Sequence, residues 1–266
     1  MIRDVFRLTN GLILLAVILI PIEKFFALRS QKTLREGFAG DIGYYYLTSL
    51  LPNRIVAIPI GLLAVALARF TPPWSLALPV WLRVALSLVI AEIGFYWGHR
   101  WSHQFSWLWR FHSIHHSPRE MDWLVNTHAH PVDLVFTRLC GYVPLYVLGL
   151  AGGTRRTVDW IPLAIALVSN MWGYFIHSNV RLGLGWFGHL IATPAFHHWH
   201  HDNVPDGRQH TNYAPLFPWI DRLFGTLQQD RQHWPDEYGI SQPMPSTLPE
   251  QLIRPFLRES ERVTKN

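Results

Sequence analysis

The stretch LRVALSLVIAEIGFYWGHRWSH, residues 82–103, decides how the rest of the chain is interpreted. It begins as an apolar run and ends with two histidines, His99 and His103, which are separated by three residues. On an α-helix this spacing puts both imidazole rings on one face, where they can converge on one metal ion. The stretch therefore predicts a membrane-crossing helix that carries metal ligands at its end.

The whole chain has a composition typical of a membrane protein. Of its 266 residues, 49% are hydrophobic and only 15% are charged, and the apolar residues form runs long enough to cross a hydrocarbon layer of about 30 Å. We predict an all-α fold: an integral-membrane helical bundle of about four to five apolar spans with a cytosolic helical cap. The runs are Leu8–Leu28, Leu47–Phe70, Leu78–Tyr96, Val132–Leu150 and Val158–Ile176. The last two either cross the bilayer or only dip into it.

Charge sets the expected orientation and excludes one class of partner. Lys24, near the end of the first run, and Arg29, Lys32 and Arg35 after it mark the following loop as cytoplasmic by the positive-inside tendency, which also assigns the end of the third run to the cytoplasm. The formal net charge of +5 is not accompanied by a nucleic-acid-reading motif, and we expect no nucleic-acid partner. Cys140 is the only cysteine, which excludes an internal disulfide and a thiolate metal cage.

Two more histidine clusters repeat the helical spacing of the first. One contains His112, His115 and His116, and the other contains His197, His200 and His201. Together with the first pair they supply eight imidazoles, which exceeds what one metal ion takes, so two metals are predicted. Imidazole suits iron, zinc, copper and nickel alike, and ligand type alone does not name the metal.

Capping signals indicate that the second and third clusters lie on short helices. We predict a helix over Phe105–His116, because Ser117, Pro118 and Glu120 then provide the N-cap, first-turn proline and capping-box glutamate of a following helix. Thr193–Pro194 is expected to begin the helix that carries the last cluster.

Three other histidines are candidates for a role at the site. His177 ends the fifth apolar run and is expected to be a ninth ligand, with an interfacial histidine bonded to backbone as the alternative. His130 has a role either behind the ligands or in a loop. His198 is expected to point away from the metals if its neighbours in the cluster share one helix face.

Carboxylates and a tyrosine close to these clusters are candidates to orient the ligand rings. Glu92 and Tyr96 share one face of the third run with His99 and His103, so either side chain could hold a ligand imidazole from behind. A helix-packing hydrogen bond is the alternative, since a carboxylate inside a span needs some partner. Asp133 and Asp202 are further candidates, with a solvated charge as the alternative for each.

These residues resemble the fatty acid hydroxylase superfamily, which includes sterol desaturases and methylsterol oxidases. The likeness rests on the three histidine clusters and on His116-Ser117, His130-Pro131 with Asp133, Thr193-Pro194, Asn212-Tyr213 and the segment 221–226. It covers the chain from about Ile90 to Leu227. We accordingly predict N-terminal transmembrane helices over 1–89, a catalytic domain over 90–227 and a polar C-terminal tail over 228–266.

The resemblance implies a membrane-bound, non-haem di-iron oxygenase that hydroxylates or desaturates a lipid, such as a sterol or a fatty acyl chain. It implies two iron ions, O2 as co-substrate, and reducing equivalents from a separate ferredoxin-like or cytochrome-like protein. A zinc-dependent membrane hydrolase is one alternative, although the chain has no His-Glu-x-x-His motif. A non-catalytic metal-binding or transport protein is another, although its ligands would follow the spans instead of clustering at their ends.

Overall fold

The computed structural model describes residues 2–67, 74–151, 160–182, 185–203, 210–228 and 233–257. In chain order the helices are α1 Ile2–Phe25, α2 Phe38–Leu67, α3 Trp74–Ala77, α4 Val80–Gln104, α5 Ser106–His115, α6 Pro131–Val147, α7 Ile161–His177, α8 Pro194–His200, α9 Pro218–Leu223 and α10 Leu248–Ile253. Three short 3₁₀ turns cover Trp123–Thr127, Gly185–His189 and Arg254–Phe256. These ranges contain isolated bridges but no strand, which confirms the predicted all-α class.

Three helices, α1, α2 and α4, are long and apolar enough to cross a membrane. They contain 24, 30 and 25 residues, against the roughly 20 that a span requires. The protein is therefore a membrane protein. The fourth and fifth predicted runs correspond to α6 and α7, which have 17 residues each. Arg155 and Arg156, whose charges argue against full crossing of the bilayer by these two runs, lie outside the described residues.

Helices α4 and α6 pack closely because glycines lie where they cross. A Cβ atom built on Gly94 would lie 2.2 Å from the carbonyl oxygen of Cys140, and one on Gly141 would lie 2.1 Å from the Phe95 ring. Small residues of this kind let the backbones of membrane helices approach each other. The crossing holds the end of α4, with its two histidines, against the first turns of α6.

One of the two capping predictions is wrong. The Ser117 hydroxyl donates to the Ile114 carbonyl at 2.7 Å, so it satisfies the end of α5 instead of starting a new helix. The next helical element begins at Trp123 and is capped by Asp122. The Thr193 cap is confirmed: its hydroxyl accepts from the Phe196 N–H at 3.3 Å, and Pro194 opens α8.

The described part of the C-terminal tail packs against the membrane helices. Tyr44 of α2 donates from its hydroxyl to Gln251 Oε1 at 2.8 Å, and Gln251 and Arg254 are both buried. Residues 258–266 lie outside the described residues. The tail up to residue 257 thus forms part of the fold.

Candidate metal centre

Nine buried histidines come together where α4, α5, α7 and α8 meet. They form two sets, and within each set the candidate ligand nitrogens lie within 4.8 Å of one another. The five-histidine group consists of His99, His103, His112, His116 and His200. The four-histidine group consists of His115, His177, His197 and His201.

Each of the two longer histidine motifs contributes to both groups. In the motif on α5, His112 and His116 belong to the five-histidine group, while His115 belongs to the other. In the motif on α8 the pattern is reversed, since only His200 joins the five-histidine group. At about 100° per residue, adjacent helical side chains diverge, so neighbouring histidines turn toward different ions. The rings of His116 and His201 stack at 4.4 Å between the two groups.

The spacing between ring nitrogens fits coordination of a metal ion. Two nitrogens that are each about 2.0–2.1 Å from one ion and at right angles lie about 3.0 Å apart. The measured Nε2–Nε2 distances are 3.1 Å for His99–His112, 3.2 Å for His112–His116, 3.2 Å for His115–His177, 2.9 Å for His177–His197 and 3.2 Å for His197–His201. Rings at these distances can surround one ion in each group.

Hydrogen bonds behind the rings fix which nitrogen faces the ion in the five-histidine group. His112 Nδ1 contacts Asp133 Oδ2 at 2.9 Å, and the same carboxylate accepts from the Ser102 hydroxyl at 3.1 Å. His99 Nδ1 donates to the Tyr213 carbonyl at 2.7 Å, and His200 Nδ1 donates to the Thr211 carbonyl at 2.8 Å. Because these oxygens only accept, Nδ1 carries the proton and Nε2 stays free for a metal.

The four-histidine group is oriented by backbone carbonyls. His115 Nδ1 donates to the His128 carbonyl at 3.1 Å, and His177 Nδ1 donates to the Gly173 carbonyl at 2.7 Å. As in the other group, Nε2 of each ring is left facing its neighbours.

Asn212 shapes the loop that orients two rings of the five-histidine group. Its φ of 60° lies in the left-handed region, which asparagine tolerates better than most residues. Its side-chain amide donates to the Phe196 carbonyl at 2.8 Å, which ties the loop to α8. The carbonyls on either side of it, from Thr211 and Tyr213, are the ones that His200 and His99 use.

Burial keeps the rings neutral, which is the form that binds metal. Desolvation lowers the pKa of His115, His116, His200 and His201 well below the ordinary value of 6.5. Asp133 remains ionised, because its contact with His112 outweighs burial and lowers the pKa of the carboxyl.

Several ring nitrogens are buried but have no hydrogen-bond partner among the described residues. Both nitrogens of His103 and Nε2 of His200 lack a hydrogen bond, as do the Nδ1 atoms of His197 and His201. A buried polar atom without a partner costs about 1–3 kcal/mol. A metal ion bound by His103 and by His200 Nε2 would satisfy a lone pair on each ring, and the donor set therefore fits bound metal.

The structure gives Glu92 and Tyr96 partners other than the ligand rings. Glu92 accepts from the Ser169 hydroxyl at 3.2 Å and from the Leu216 N–H at 3.0 Å, which is the helix-packing alternative. The Tyr96 hydroxyl contacts Thr226 Oγ1 at 2.8 Å. The residues that orient rings come from α6, from α7 and from loops, because the face shared with His99 and His103 turns partly toward other helices.

Other candidates from the sequence lie beside the two groups. His130 caps α6, since its Nδ1 accepts from the Val132 N–H at 3.1 Å, and its Nε2 contacts the Leu252 carbonyl at 3.2 Å. His198 contacts the Tyr238 hydroxyl at 2.7 Å and the Ser178 carbonyl at 3.1 Å, so it is turned away from both groups. Asp202 forms an isolated backbone bridge with Tyr238.

A cavity of about 380 Å³ reaches the histidines from the apolar part of the protein. Members of both groups line it: His99 and His112 from one, and His115, His177 and His197 from the other. Its wall on α7 extends to Leu163, which is roughly 21 Å from His177 at 1.5 Å per residue. Leu163 and Leu167 are 73% and 61% exposed, so the cavity opens on an apolar surface.

Comparison with known proteins gives the chain its family. The fatty acid hydroxylase family model matches residues 84–226, which include the histidines of both groups. The ornithine lipid hydroxylase OlsE of Rhizobium tropici is 31% identical over 266 residues, covering 97% of this chain and 76% of that protein. The chain belongs to the fatty acid hydroxylase family.

More distant relatives share a smaller part of their length. The alkylglycerol monooxygenase of Danio rerio is 28% identical over 172 residues, which cover 65% of this chain and 35% of the relative. Methylsterol monooxygenase 2-2 of Arabidopsis thaliana is 27% identical over 157 residues, which cover 57% of this chain and 56% of the relative. No solved structure matches the chain.

Proposed function

We propose that this protein is a membrane-bound, non-haem di-iron oxygenase that hydroxylates or desaturates a lipid, using O2 and an external electron donor. The observation that carries the proposal is the pair of buried histidine groups at the inner end of a cavity that opens on an apolar surface. The names of the relatives support it, since they are a lipid hydroxylase, an alkylglycerol monooxygenase and a methylsterol monooxygenase. Each of them denotes oxidation of a lipid-like molecule.

Iron is the metal that suits both the donor set and the proposed chemistry. The nine candidate ligands are all imidazoles, which in the neutral form bind iron as well as zinc or copper. Bound iron would supply the activation of O2 that oxidation of an unactivated C–H bond requires. The protein's own contribution is to orient the rings through Asp133 and the backbone carbonyls, and to keep the site buried from water.

The cavity suits an amphipathic lipid. Its outer part, near Leu163 and Leu167, is apolar and would receive a chain directly from the bilayer. Closer to the histidines its wall includes Thr137, Ser169 and Asn170, which can hydrogen-bond a polar group of the substrate. A substrate held at both ends would present one fixed carbon to the metal groups.

The histidines are proposed to lie on the cytoplasmic side of the membrane and to receive electrons from a separate protein. The basic residues in the last turn of α1 and in the segment after it, including Lys24 and Lys32, support a cytoplasmic position for the histidines. A separate ferredoxin-like or cytochrome-like protein would then deliver reducing equivalents from the cytoplasm. Turnover with a chemical reductant alone that is as fast as turnover with any protein carrier would contradict this part.

A zinc-dependent hydrolase is the second candidate, because neutral imidazoles also suit zinc. Hydrolysis needs a general base near the metal-bound water. Among the described residues, Asp133 is the carboxylate that comes nearest to serving as this general base, but it already contacts His112 and Ser102. Metal analysis combined with O2 consumption separates the two candidates.

The test is lipid mass spectrometry of cells that express either the intact chain or a His115→Ala/His200→Ala variant, which removes one ligand from each group. We expect lipids that have gained one oxygen, or lost two hydrogens, only with the intact chain. The intact protein should also contain iron and consume O2. An iron-loaded, folded protein that leaves every lipid unchanged in a host with suitable electron donors would overturn the proposal.

A further inference from the structure

A buried ion-pair bridge joins the segment before α2 to the 3₁₀ turn Trp123–Thr127. The Arg35 guanidinium contacts Asp41 Oδ2 at 2.6 Å and Asp122 Oδ2 at 2.7 Å. Arg35 is 7% exposed, and the two carboxylates are less exposed still. We call these three residues the Arg35 bridge. Separating buried charges that are paired is costly, because each would be left without a compensating charge. The bridge therefore holds its three members in one arrangement.

The bridge holds both ends of the turn. Asp122 caps its start, because Oδ1 accepts from the N–H groups of Leu124 at 2.9 Å and Val125 at 3.2 Å. Asp41 holds its end in two ways. The Asp41 carbonyl accepts from the Thr127 hydroxyl at 3.2 Å, and the Asp41 carboxylate contacts His128 Nδ1.

The end of this turn is also where the four-histidine group is oriented. The carbonyl of His128 accepts the Nδ1–H of His115. On its other side the turn packs against α7: a Cβ on Gly173 would lie 2.3 Å from Asn126 Oδ1, and the Gly173 carbonyl orients His177. Two rings of the four-histidine group therefore depend on where the turn lies.

The five-histidine group is oriented by a different part of the fold. Asp133 belongs to α6, and the carbonyls of Thr211 and Tyr213 belong to the loop around Asn212. A shift of the 3₁₀ turn would reach these groups only indirectly.

We propose that the Arg35 bridge is a positioning device for the four-histidine group, so that the metal affinity of this group depends on Asp41 while that of the five-histidine group does not. The proposal rests on the metal centre proposed above but not on its lipid chemistry. It gives the segment between α1 and α2 a role in metal binding, although that segment contributes no ligand.

Cobalt(II) titration of the purified full chain in detergent tests this proposal, with the stoichiometry, the affinities and the visible absorption spectrum as readouts. The unaltered protein should bind two equivalents. In Asp41→Asn we expect one equivalent to bind at least about tenfold more weakly, as is typical when a group behind a ligand is altered, and the other to be unchanged. The matched control is Asp4→Asn, which breaks an exposed ion pair with Arg54 between α1 and α2. It should bind both equivalents normally.

Two outcomes would overturn the inference: normal binding of both equivalents by Asp41→Asn, or equal weakening of both in a variant that remains folded. If Asp41→Asn is not recovered as folded protein, Thr127→Val decides, because it removes one hydrogen bond to Asp41 without altering a charge. Selective weakening of one equivalent supports the positioning role, and unchanged binding overturns it. An unaltered chain that binds no metal would instead contradict the proposed function.

Discussion

The two histidine groups share helices α5 and α8, yet they differ in ligand number and in what holds the ligands. The five-histidine group has a buried carboxylate, Asp133, behind one of its rings. The rings of the four-histidine group whose orienting bonds are described rely on backbone carbonyls alone. An ion in the four-histidine group would therefore have more open positions and would receive less negative charge from behind its ligands.

The two groups also differ in how many of their histidines line the cavity. Three of the four members of the smaller group line it, namely His115, His177 and His197, against two of the five members of the larger group, His99 and His112. The difference favours a division of roles, in which the larger group would hold an ion firmly and the smaller group would leave room for exogenous molecules.

The largest expected effect comes from removing a ligand from the four-histidine group, and the same change in the five-histidine group should matter less. His177→Ala leaves three histidines, and we expect loss of one metal equivalent and a fall in activity of more than about 100-fold, beyond the effect of altering a group behind a ligand. His103→Ala leaves four histidines in the larger group, and both equivalents should remain bound. Metal content per chain and lipid turnover are the measurements.

His198→Gln is the matched control for both substitutions. His198 is equally buried and lies within the α8 motif, but its nitrogens contact Tyr238 and Ser178. Its replacement should cost about 1–3 kcal/mol of stability and leave the metal content intact. Loss of metal from His103→Ala but not from His177→Ala would reverse the comparison.

An intermediate effect is expected at Asp133. Asp133→Asn removes the negative charge behind His112, and we expect the affinity of the five-histidine group for metal to fall by about 10–100-fold. Affinity at the four-histidine group should stay the same, which is the opposite of the result expected for Asp41→Asn. Asp202→Asn serves as the control, because this half-buried carboxylate lies outside both groups. A uniform loss at both groups would show that Asp133 supports the fold in general.

A smaller effect is expected at the mouth of the cavity. Leu167→Trp should narrow the opening and lower kcat/KM by about tenfold, which corresponds to ~1.4 kcal/mol of transition-state stabilisation. Both metal equivalents should remain. Leu62→Trp on α2 is the control, since Leu62 is similarly exposed but does not line the cavity. Equal turnover by the two variants would indicate that the substrate enters elsewhere.

The smallest effect on the metals is expected at Glu92. Glutamine can still accept from the Leu216 N–H and bond to Ser169, so Glu92→Gln should lower stability by about 1–2 kcal/mol and leave the metal content unchanged. Thermal unfolding and metal analysis of the same preparation measure both quantities. Loss of metal from Glu92→Gln would indicate that Glu92 positions a ligand ring after all.

The parts of the fold that depend on local pattern could be predicted from the sequence. The apolar runs predicted the long helices, and the spacing of the histidines selected eight of the nine rings that the structure brings together. The ninth, His177, was predicted from its position at the end of the fifth apolar run. The Thr193 cap was also predictable, because an N-cap acts on residues three positions away.

The parts that depend on tertiary packing could not be predicted in this way. Glu92 shares a helix face with two histidines, but Asp133, on another helix, is the carboxylate that contacts a ring. Helical spacing predicted that histidines three and four apart can converge, but it did not reveal that His115 and His116 serve different groups. The residues Thr211, Tyr213 and His128 orient rings through their backbone carbonyls, so the identity of their side chains does not reveal this role. The Asn212-Tyr213 pair in the family signature was the closest available indication.

Each of the two longer histidine motifs contributes ligands to both groups, and this arrangement affects how the metal centre assembles. Neither group can supply its full set of ligands until both α5 and α8 have folded and docked. About 80 residues separate these helices, so a long loop must close before metal binding can contribute any free energy. During synthesis, the helices can enter the membrane before either site is complete. Loading of the two ions is therefore expected to be late and cooperative, with the first ion organising the helices that the second one needs.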